Sequence, residues 1–216
     1  MKTEKGEVFS LAAQHPPIPG CTVSEALRDG ENSVTVFTLA DHTDISAELY
    51  PYYKLILCHD GRLCVKEGAK QHLLSAGEAI LTPIGIPVGT QAAEACVYTE
   101  TAIRRKEDMN QTIRAGEAFS LSSLVPYQSG KIVNMDVVSN PSTKFVVMAF
   151  DAGTGLSEHA APGEALIFAL EGEGIIRYEG QEHLLRAGEN FSFARGGMHA
   201  VRAEKPFKMA LFLTLA

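Results

Sequence analysis

Residues 72–78, His-Leu-Leu-Ser-Ala-Gly-Glu, recur 111 positions later as residues 183–189, His-Leu-Leu-Arg-Ala-Gly-Glu. A second stretch near the N-terminus, residues 6–11 (Gly-Glu-Val-Phe-Ser-Leu), recurs at an offset of 110 as residues 116–121 (Gly-Glu-Ala-Phe-Ser-Leu). One inserted residue between the two stretches accounts for the difference in offset. Because order and spacing hold across both halves, we infer that the chain arose by internal duplication.

The length of the repeat predicts two domains. Solenoid repeats are about 20–50 residues long, so a repeat of this size is a domain in its own right. We place the boundary in the most polar and charged stretch of the chain, residues 104–110, where a short basic run is followed directly by acidic residues. The predicted domains are residues 1–104 and residues 105–216.

Apolar residues within each half form short runs that are rich in β-branched and aromatic side chains, for example residues 34–39 and 145–150. Gly, Pro, Asp and Asn interrupt these runs at intervals of about ten residues, which is typical of a β-sandwich or β-barrel. Glycines also fall where hairpins are expected to turn, as in residues 171–174. The predicted fold class is all-β, with one small barrel or sandwich in each half.

Composition and charge argue against several classes of protein. The chain of 216 residues is 45% hydrophobic and carries a formal net charge of −7, and it lacks the basic stripe of a nucleic-acid binder. No apolar stretch approaches the roughly 20 residues that span a bilayer, and the N-terminal residues are polar, unlike the apolar part of a signal peptide. We therefore expect a cytoplasmic protein that binds neither nucleic acid nor a membrane.

The cysteines of the chain all lie in the first half and match no zinc-binding spacing. They are Cys21, Cys58, Cys64 and Cys96. In a reducing cytoplasm the simplest expectation is that they are buried and act as small hydrophobic side chains.

Two stretches of the second half resemble the two sequence motifs of the cupin superfamily. Residues 157–174 contain a histidine, a proline, an apolar strand and a Leu-Glu-Gly turn, as in the first motif. Residues 187–199 run from Ala-Gly-Glu through an aromatic strand and a Gly-Gly turn to a histidine, as in the second motif. The resemblance implies that the chain is a tandem bicupin, with two jelly-roll β-barrels related by the duplication.

The resemblance also implies a divalent metal held by three histidines and one carboxylate, and this chain keeps two of those four positions. His159 and His199 match the first and last ligands, whereas Ala161 and Ala165 occupy the other two. Glu164 is adjacent to the fourth position, but strand alternation directs it to the opposite face.

Two interpretations of this partial motif stay open. In the first, one Zn, Ni, Fe or Mn ion binds His159 and His199, with Glu164 as a third ligand if that side chain turns inward; a 2-His-1-carboxylate set suits ferrous iron. In the second, the two histidines line a polar pocket that holds no metal, because catalytic zinc sites use three protein ligands.

The ligand pocket expected in the second barrel is small and mostly apolar, since strand parity directs several small aliphatic residues inward. Its expected lining is His159, Ile167, Ala169, Met198, His199 and Val201. The only nearby candidates for acid–base or anion-binding work are Glu164, Arg195 and Tyr178. None of them belongs to a specific motif, so no catalytic residue is assigned.

Two functions are compatible with this pocket. An apolar pocket with a few polar groups suits the binding of a small molecule, for sensing or storage. The alternative is a metal-dependent cupin enzyme of the isomerase, decarboxylase or dioxygenase type, in which the ion polarises a carbonyl or hydroxyl oxygen. The expected partner is in either case a small molecule, and a homodimer is compatible with the association of cupins through their outer sheets.

The first half has no histidine at the four metal positions. Its equivalent residues are Glu48, Tyr50, Lys54 and Val88. We therefore expect a first barrel without a metal. If Lys54 points inward, burying its charge alone would be very costly, so an ion pair with Glu48 is our hypothesis; the alternative is that Lys54 extends to solvent at the barrel mouth.

Overall fold

The structure is a computed structural model that describes residues 5–30 and 32–215. In these residues the helical elements are α1 (Leu11–Gln14) and two short 3-10 turns, Lys106–Asp108 and Leu121–Leu124. Almost everything else that is regular is β-strand. None of the described helices is long and apolar enough to cross a membrane.

Seventeen strands make up the described part of the fold. In chain order they are β1 (Val8–Phe9), β2 (Thr22–Arg28), β3 (Val34–Leu39), β4 (Asp44–Glu48), β5 (Tyr53–Glu67), β6 (Lys70–Ser75), β7 (Glu78–Leu81), β8 (Val88–Ile103), β9 (Ala118–Ser120), β10 (Ile132–Ser139), β11 (Thr143–Phe150), β12 (Thr154–Ala160), β13 (Glu164–Tyr178), β14 (Gln181–Arg186), β15 (Asn190–Phe193), β16 (Met198–Ala203) and β17 (Phe207–Thr214). All pairs between them are antiparallel.

The strands form two hydrogen-bonded sets that repeat one topology. One set has the order β2-β3-β8-β5-β7-β9, with β4 on β8 and β6 on β5. The other has the order β1-β15-β13-β17-β11-β10, with β12 on β16 and with β14 and β16 on β13. The second set differs mainly in that the equivalent of the long strand β8 is divided into β16 and β17. The predicted all-β fold with two jelly-roll barrels related by duplication is confirmed.

The long strands β5 and β13 each bend at one glycine. Gly61 has φ 72° and Gly172 has φ 74°, in the left-handed region that glycine adopts without strain. A Cβ atom at these positions would collide with the backbone carbonyl of Ala95 or Pro206, respectively. The bend divides the pairing of each strand, because β5 pairs with β7 before Gly61 and with β6 after it. One strand thereby contributes to both sides of the barrel.

The first strand of each repeat is exchanged between the two barrels. β1 pairs with β15, with Val8 opposite Phe191, and β9 pairs with β7, with Phe119 opposite Ala79. Contacts accordingly divide the chain into one unit of Leu11–Ser120 and a second unit that joins the N-terminal segment through Ser10 to the residues from Leu121 onward. Each barrel is therefore completed by the strand that precedes the other barrel in sequence.

This division differs from the predicted boundary between residues 104 and 105. The polar stretch that suggested the boundary contains a 3-10 turn, Lys106–Asp108, in which no residue is buried. Local polarity identified an exposed connection, whereas the compact unit continues until β9 has paired with β7.

Apolar side chains fill the interior of both barrels. The first core includes Ile56, Leu63 and Tyr98, together with the fully buried thiols of Cys58 and Cys96. Burial raises the pKa of Cys58 to about 12 and that of Cys96 to about 11, so both thiols stay protonated at neutral pH.

The expectation that all four cysteines are buried is wrong for the other two. Cys21 is exposed and Cys64 is partly exposed. Cys21 immediately precedes β2, whose first residues are exposed, and a pattern of residue types alone does not reveal such edge positions.

The exchange of strands predicts a specific crosslink. Ser120 lies directly opposite Glu78, so a Ser120→Cys/Glu78→Cys chain should form an intramolecular disulfide under mild oxidation, because facing residues on paired strands are within bridging range. The matched control is Ser120→Cys/Glu189→Cys, since Glu189 is the residue equivalent to Glu78. With Cys21 and Cys64 replaced by serine, peptide mapping should find the first link and not the second, and the reverse result would contradict the exchange.

His59 on β5 carries a pH-dependent part of the stability. Its Nε2 atom lies 2.9 Å from the hydroxyl oxygen of Thr99, and burial lowers the pKa of His59 to about 4. Between the ordinary histidine pKa of about 6.5 and this value, the unfolded chain binds a proton that the folded chain does not. The contribution of His59 is therefore complete above about pH 6.5 and is lost as the pH falls towards 4.

A His59→Gln variant should lose less stability on acidification than the parent chain. We expect the free energy of unfolding in urea to fall between pH 7 and pH 4.5 by about 2 kcal/mol more in the parent than in the variant. Carboxylates titrate in both chains and cancel in the comparison. Parallel pH profiles of the two proteins would show that His59 has no such role.

Candidate functional site

The structure brings together the two histidines that match the cupin metal ligands. His159 on β12 lies directly opposite His199 on β16, and their ring centroids are 4.2 Å apart with an angle of 51° between the ring planes. The side chain of His199 is buried, with 6% of its surface exposed, whereas His159 is exposed. The pair thus extends from the interior of the second barrel to its surface.

Backbone carbonyl groups fix the orientation of both imidazoles. Nδ1 of His159 lies 2.8 Å from the carbonyl oxygen of Ser157, and Nδ1 of His199 lies 3.2 Å from that of Gly197. A carbonyl oxygen can only accept a hydrogen bond, so each Nδ1 carries the proton and each Nε2 is left as an acceptor.

The ionisation of His199 supports this assignment. Burial lowers the pKa of His199; the hydrogen bond to Gly197 acts in the opposite direction, and the nearby His159 lowers the pKa further. A neutral imidazole is therefore favoured at neutral pH. His199 thus presents Nε2 as a hydrogen-bond acceptor with a fixed geometry, beside the ring of His159.

The other positions of the metal motif do not supply ligands. Ala161 and Ala165 are buried, and Glu164 lies on the outer face, where its carboxylate is 3.4 Å from the ammonium group of Lys5. Within residues 5–30 and 32–215, no three His, Cys, Asp or Glu side chains are placed to hold a metal ion. Two imidazoles fall short of the three protein ligands of a catalytic zinc site and lack the carboxylate of a ferrous site. The donor set does not fit the metal that the fold family implies.

The predicted apolar lining residues lie mostly in the core of the second barrel. Ile167, Ala169 and Val201 are buried in the second core, and Met198 is 40% exposed at the end of β16. The ring of Phe193 lies 4.2 Å from that of His199, centroid to centroid. The buried His199 therefore packs against an aromatic ring, and the role of the predicted lining residues in contacting a ligand stays a prediction.

The proposed acid–base candidates take up structural or exposed positions. The ring of Tyr178 packs against Phe193 at a centroid distance of 5.2 Å, and its hydroxyl oxygen accepts a hydrogen bond of 3.3 Å from the backbone N–H of Ala194. Arg195 is exposed. Tyr178 lies opposite His199 on the paired strands β13 and β16, which places it beside the histidine pair, and no catalytic role is assigned to either side chain.

In the first barrel, the four equivalent positions keep the register of the motif but not its chemistry. Glu48 on β4 lies opposite Val88 on β8, just as His159 lies opposite His199. Val88 is buried in the first core. The two barrels thus offer the same backbone arrangement with different side chains.

Lys54 points inward and is 8% exposed, but the hypothesis that it pairs with Glu48 is wrong. Its ammonium nitrogen lies 2.7 Å from a carboxylate oxygen of Glu100. Glu48 instead accepts a hydrogen bond of 2.8 Å from the hydroxyl of Tyr50, whose ring centroid is 3.6 Å from the Lys54 ammonium. The reason is geometric, because Glu48 is exposed on β4 whereas Glu100 faces the interior from β8, opposite the core residue Ile56.

This ion pair borders a cavity of about 230 Å³ in the first barrel. The residues around it include Thr35, Phe37, Tyr50, Tyr52, Lys54 and Glu100. Glu100 lies outside the four positions of the metal motif, so the motif could not identify it. The signal that could have found it is its alternation with the inward-facing Cys96 and Tyr98 near the end of β8.

The comparisons with known proteins agree with this architecture. A family model described as "Cupin domain" matches residues 146–214. A solved structure of a Cupin 2 conserved barrel domain protein from Leptotrichia buccalis is similar over 99% of this chain and 98% of its own, with 26% identity and a TM-score of 0.86. No curated protein matches the chain.

More distant solved structures share the fold. Salicylate 1,2-dioxygenase from Pseudoaminobacter salicylatoxidans, in adducts with gentisate, has a TM-score of 0.65 at 12% identity over 96% of this chain and 80% of its own. Protein Ylba from E. coli has a TM-score of 0.61 at 12% identity over 98% of this chain and 92% of its own. The duplicated jelly-roll barrels and the partial histidine motif have the architecture of a bicupin, and the family match identifies residues 146–214 as a cupin domain.

The incomplete donor set predicts a low affinity for metal ions, which can be tested. Metal-stripped parent protein should bind Zn²⁺ and Ni²⁺ only weakly, whereas Ala161→His/Ala165→Glu should bind at least about 100-fold more tightly, because loss of an outer partner alone changes metal affinity by about 10–100-fold. Calorimetric titration of both proteins measures the difference. The control is the same pair of substitutions with His159→Ala/His199→Ala, which leaves two donors as in the parent and should return the affinity to about that of the parent.

Tight binding by the parent chain would contradict this expectation. It would mean that a third donor, such as Glu164, leaves Lys5 and turns inward when the ion is present.

Proposed function

We propose that this chain is a small-molecule-binding bicupin whose second barrel holds its ligand at the His159–His199 pair without requiring a metal. The observation that carries the proposal is the fixed arrangement of the two imidazoles, 4.2 Å apart, with both Nδ1 atoms held by backbone carbonyls. Paired acceptors beside an apolar wall are the kind of convergent polar groups that orient a ligand in an otherwise apolar site.

The chemistry of the pair indicates what it binds. Imidazole Nε2 atoms that do not carry a proton take hydrogen bonds from donors such as hydroxyl groups, and the ring of Phe193 next to His199 favours an aromatic or aliphatic body. The ligand class that fits is a small apolar compound with one or two hydroxyl groups. An anion is disfavoured at His199, because burial lowers the pKa of this histidine and the neighbouring ring of Phe193 supplies no compensating charge.

A metal-dependent cupin enzyme is the alternative that the fold family suggests. Such an enzyme needs an ion to polarise an oxygen atom of the substrate, and in the second barrel alanines stand at two of the four ligand positions. No observation in the described residues favours that alternative over binding.

The proposal is tested with phenol and catechol against anisole and 1,2-dimethoxybenzene, which have the same rings without hydroxyl donors. Protein dialysed against EDTA is titrated by nuclear magnetic resonance. We expect saturable binding of the hydroxylated compounds, with shifts in the resonances of His159 and His199, and at least about tenfold weaker binding of the methyl ethers, since an unmade hydrogen bond leaves the buried acceptor of His199 unsatisfied.

Matched histidine-to-phenylalanine variants locate the effect. His159→Phe and His199→Phe keep a planar ring but remove the acceptor, so both should abolish the preference for hydroxylated compounds. His183→Phe alters a partly buried histidine of the same barrel that contacts Phe191 and should leave the preference unchanged. Equal binding of phenols and methyl ethers, or binding only after a metal is added, would overturn the proposal.

A further inference from the structure

The first barrel contains a buried ion pair that borders a cavity. Lys54 and Glu100 are 2.7 Å apart, and their side chains are 10% and 12% exposed. The ring of Tyr50 covers the ammonium group at 3.6 Å, and Tyr52 lies beside it with a centroid distance of 5.6 Å between the two rings. A cavity of about 230 Å³ lies next to these groups.

The duplication provides an internal comparison, which shows that the fold does not require these polar groups. At the positions equivalent to Lys54 and Glu100, the second barrel has Ala165 and Leu211, which lie in or against its apolar core. Three other polar positions around the cavity differ in the same way: Thr35, Tyr50 and Tyr52 correspond to Val146, Ala161 and Gly163.

Stability alone does not account for the pair. Replacing a buried ion pair by apolar residues of similar volume is often neutral or stabilising, and the second barrel has apolar residues at both positions. Several polar side chains are instead gathered around one cavity in one copy only. Convergent polar groups at the edge of a cavity are the usual mark of a ligand site.

We propose that the first barrel has its own ligand site, in which the Lys54–Glu100 pair binds a small uncharged molecule with a carbonyl group and a hydroxyl or N–H group on adjacent atoms. The Lys54 ammonium has three donors, and Glu100 uses one of them, so another can donate to the carbonyl oxygen of the ligand. A carboxylate accepts at both of its oxygens, so Glu100 can accept from the hydroxyl or N–H group.

The balance of charge explains why the ligand is uncharged. The pair is neutral as a whole, so an anion or a cation would enter the cavity without a counter-charge, which is costly. A neutral molecule with a donor beside an acceptor satisfies both members of the pair without separating them. The tyrosine rings contribute apolar surface to the rest of the molecule.

Three compounds of nearly equal size test the proposal. Lactamide is neutral and has the required groups, lactate is an anion, and alaninamide is a cation. In a nuclear magnetic resonance titration, lactamide should shift the resonances of Thr35, Ile45 and Tyr50 in a saturable manner in the millimolar range. Lactate and alaninamide should bind at least about tenfold more weakly.

The test variant is Lys54→Met/Glu100→Gln, which removes both charges at similar volume and leaves no unpaired buried charge. It should fold, as checked by thermal unfolding, and should no longer bind lactamide. The matched control is Lys208→Met/Glu171→Gln in the second barrel, where Lys208 is 8% exposed and lies 3.1 Å from Glu171. This control should bind lactamide like the parent.

Three results would overturn the proposal: no saturable binding of lactamide to the parent, tighter binding of lactate than of lactamide, or unchanged binding by the Lys54→Met/Glu100→Gln variant. The site is independent of the histidine pair, so His159→Phe should leave lactamide binding intact. Failure here and failure of the proposed second-barrel function are thus separate outcomes.

Discussion

The left-handed bend at Gly61 and Gly172 is the constraint on which both barrels depend. Each glycine lies against a backbone carbonyl that would collide with any side chain, so the close approach and the backbone angle both select glycine. Because of the bend, one fifteen-residue strand pairs with two different neighbours along its length. The bend thereby closes each barrel around a single apolar core. This closure determines which side chains of the other strands face the interior.

The same backbone frame supports two kinds of interior chemistry. Register is identical at the motif positions, with His159 opposite His199 in one barrel and Glu48 opposite Val88 in the other. Packing in the strands between them is apolar in both copies. Polar groups at the barrel mouth can therefore vary while the core keeps the fold, which agrees with the general finding that sites are grafted on folds and are not determined by them.

The general plan of the molecule could be predicted from the sequence, and the reasons differ from feature to feature. The duplication and the all-β class are visible because strand length, alternation and glycine turns are local properties. The proximity of His159 and His199 followed from the cupin resemblance. The partner of Lys54 could not be found in this way, since Glu100 is distant in sequence and outside the motif. Which of two carboxylates reaches a buried ammonium group depends on which face of its strand each carboxylate occupies in the folded barrel.

The exchange of first strands was also invisible in the sequence. Residues 6–11 and 116–121 are so similar that each is chemically suited to either barrel, and no pattern of residue types reveals which barrel it joins. Because the repeats are similar, the free energy of strand pairing is nearly the same in either barrel, so the exchange costs little stability.

This exchange means that neither repeat is a self-sufficient module. A fragment cut between the repeats would keep a barrel but leave β7 or β15 with an uncovered row of amide and carbonyl groups, and open strand edges recruit strands from other chains. Gene fission or recombination at the repeat boundary would therefore yield products prone to assemble with one another or to aggregate. Selection acts on the two barrels as one heritable unit, even though their interiors are free to diverge.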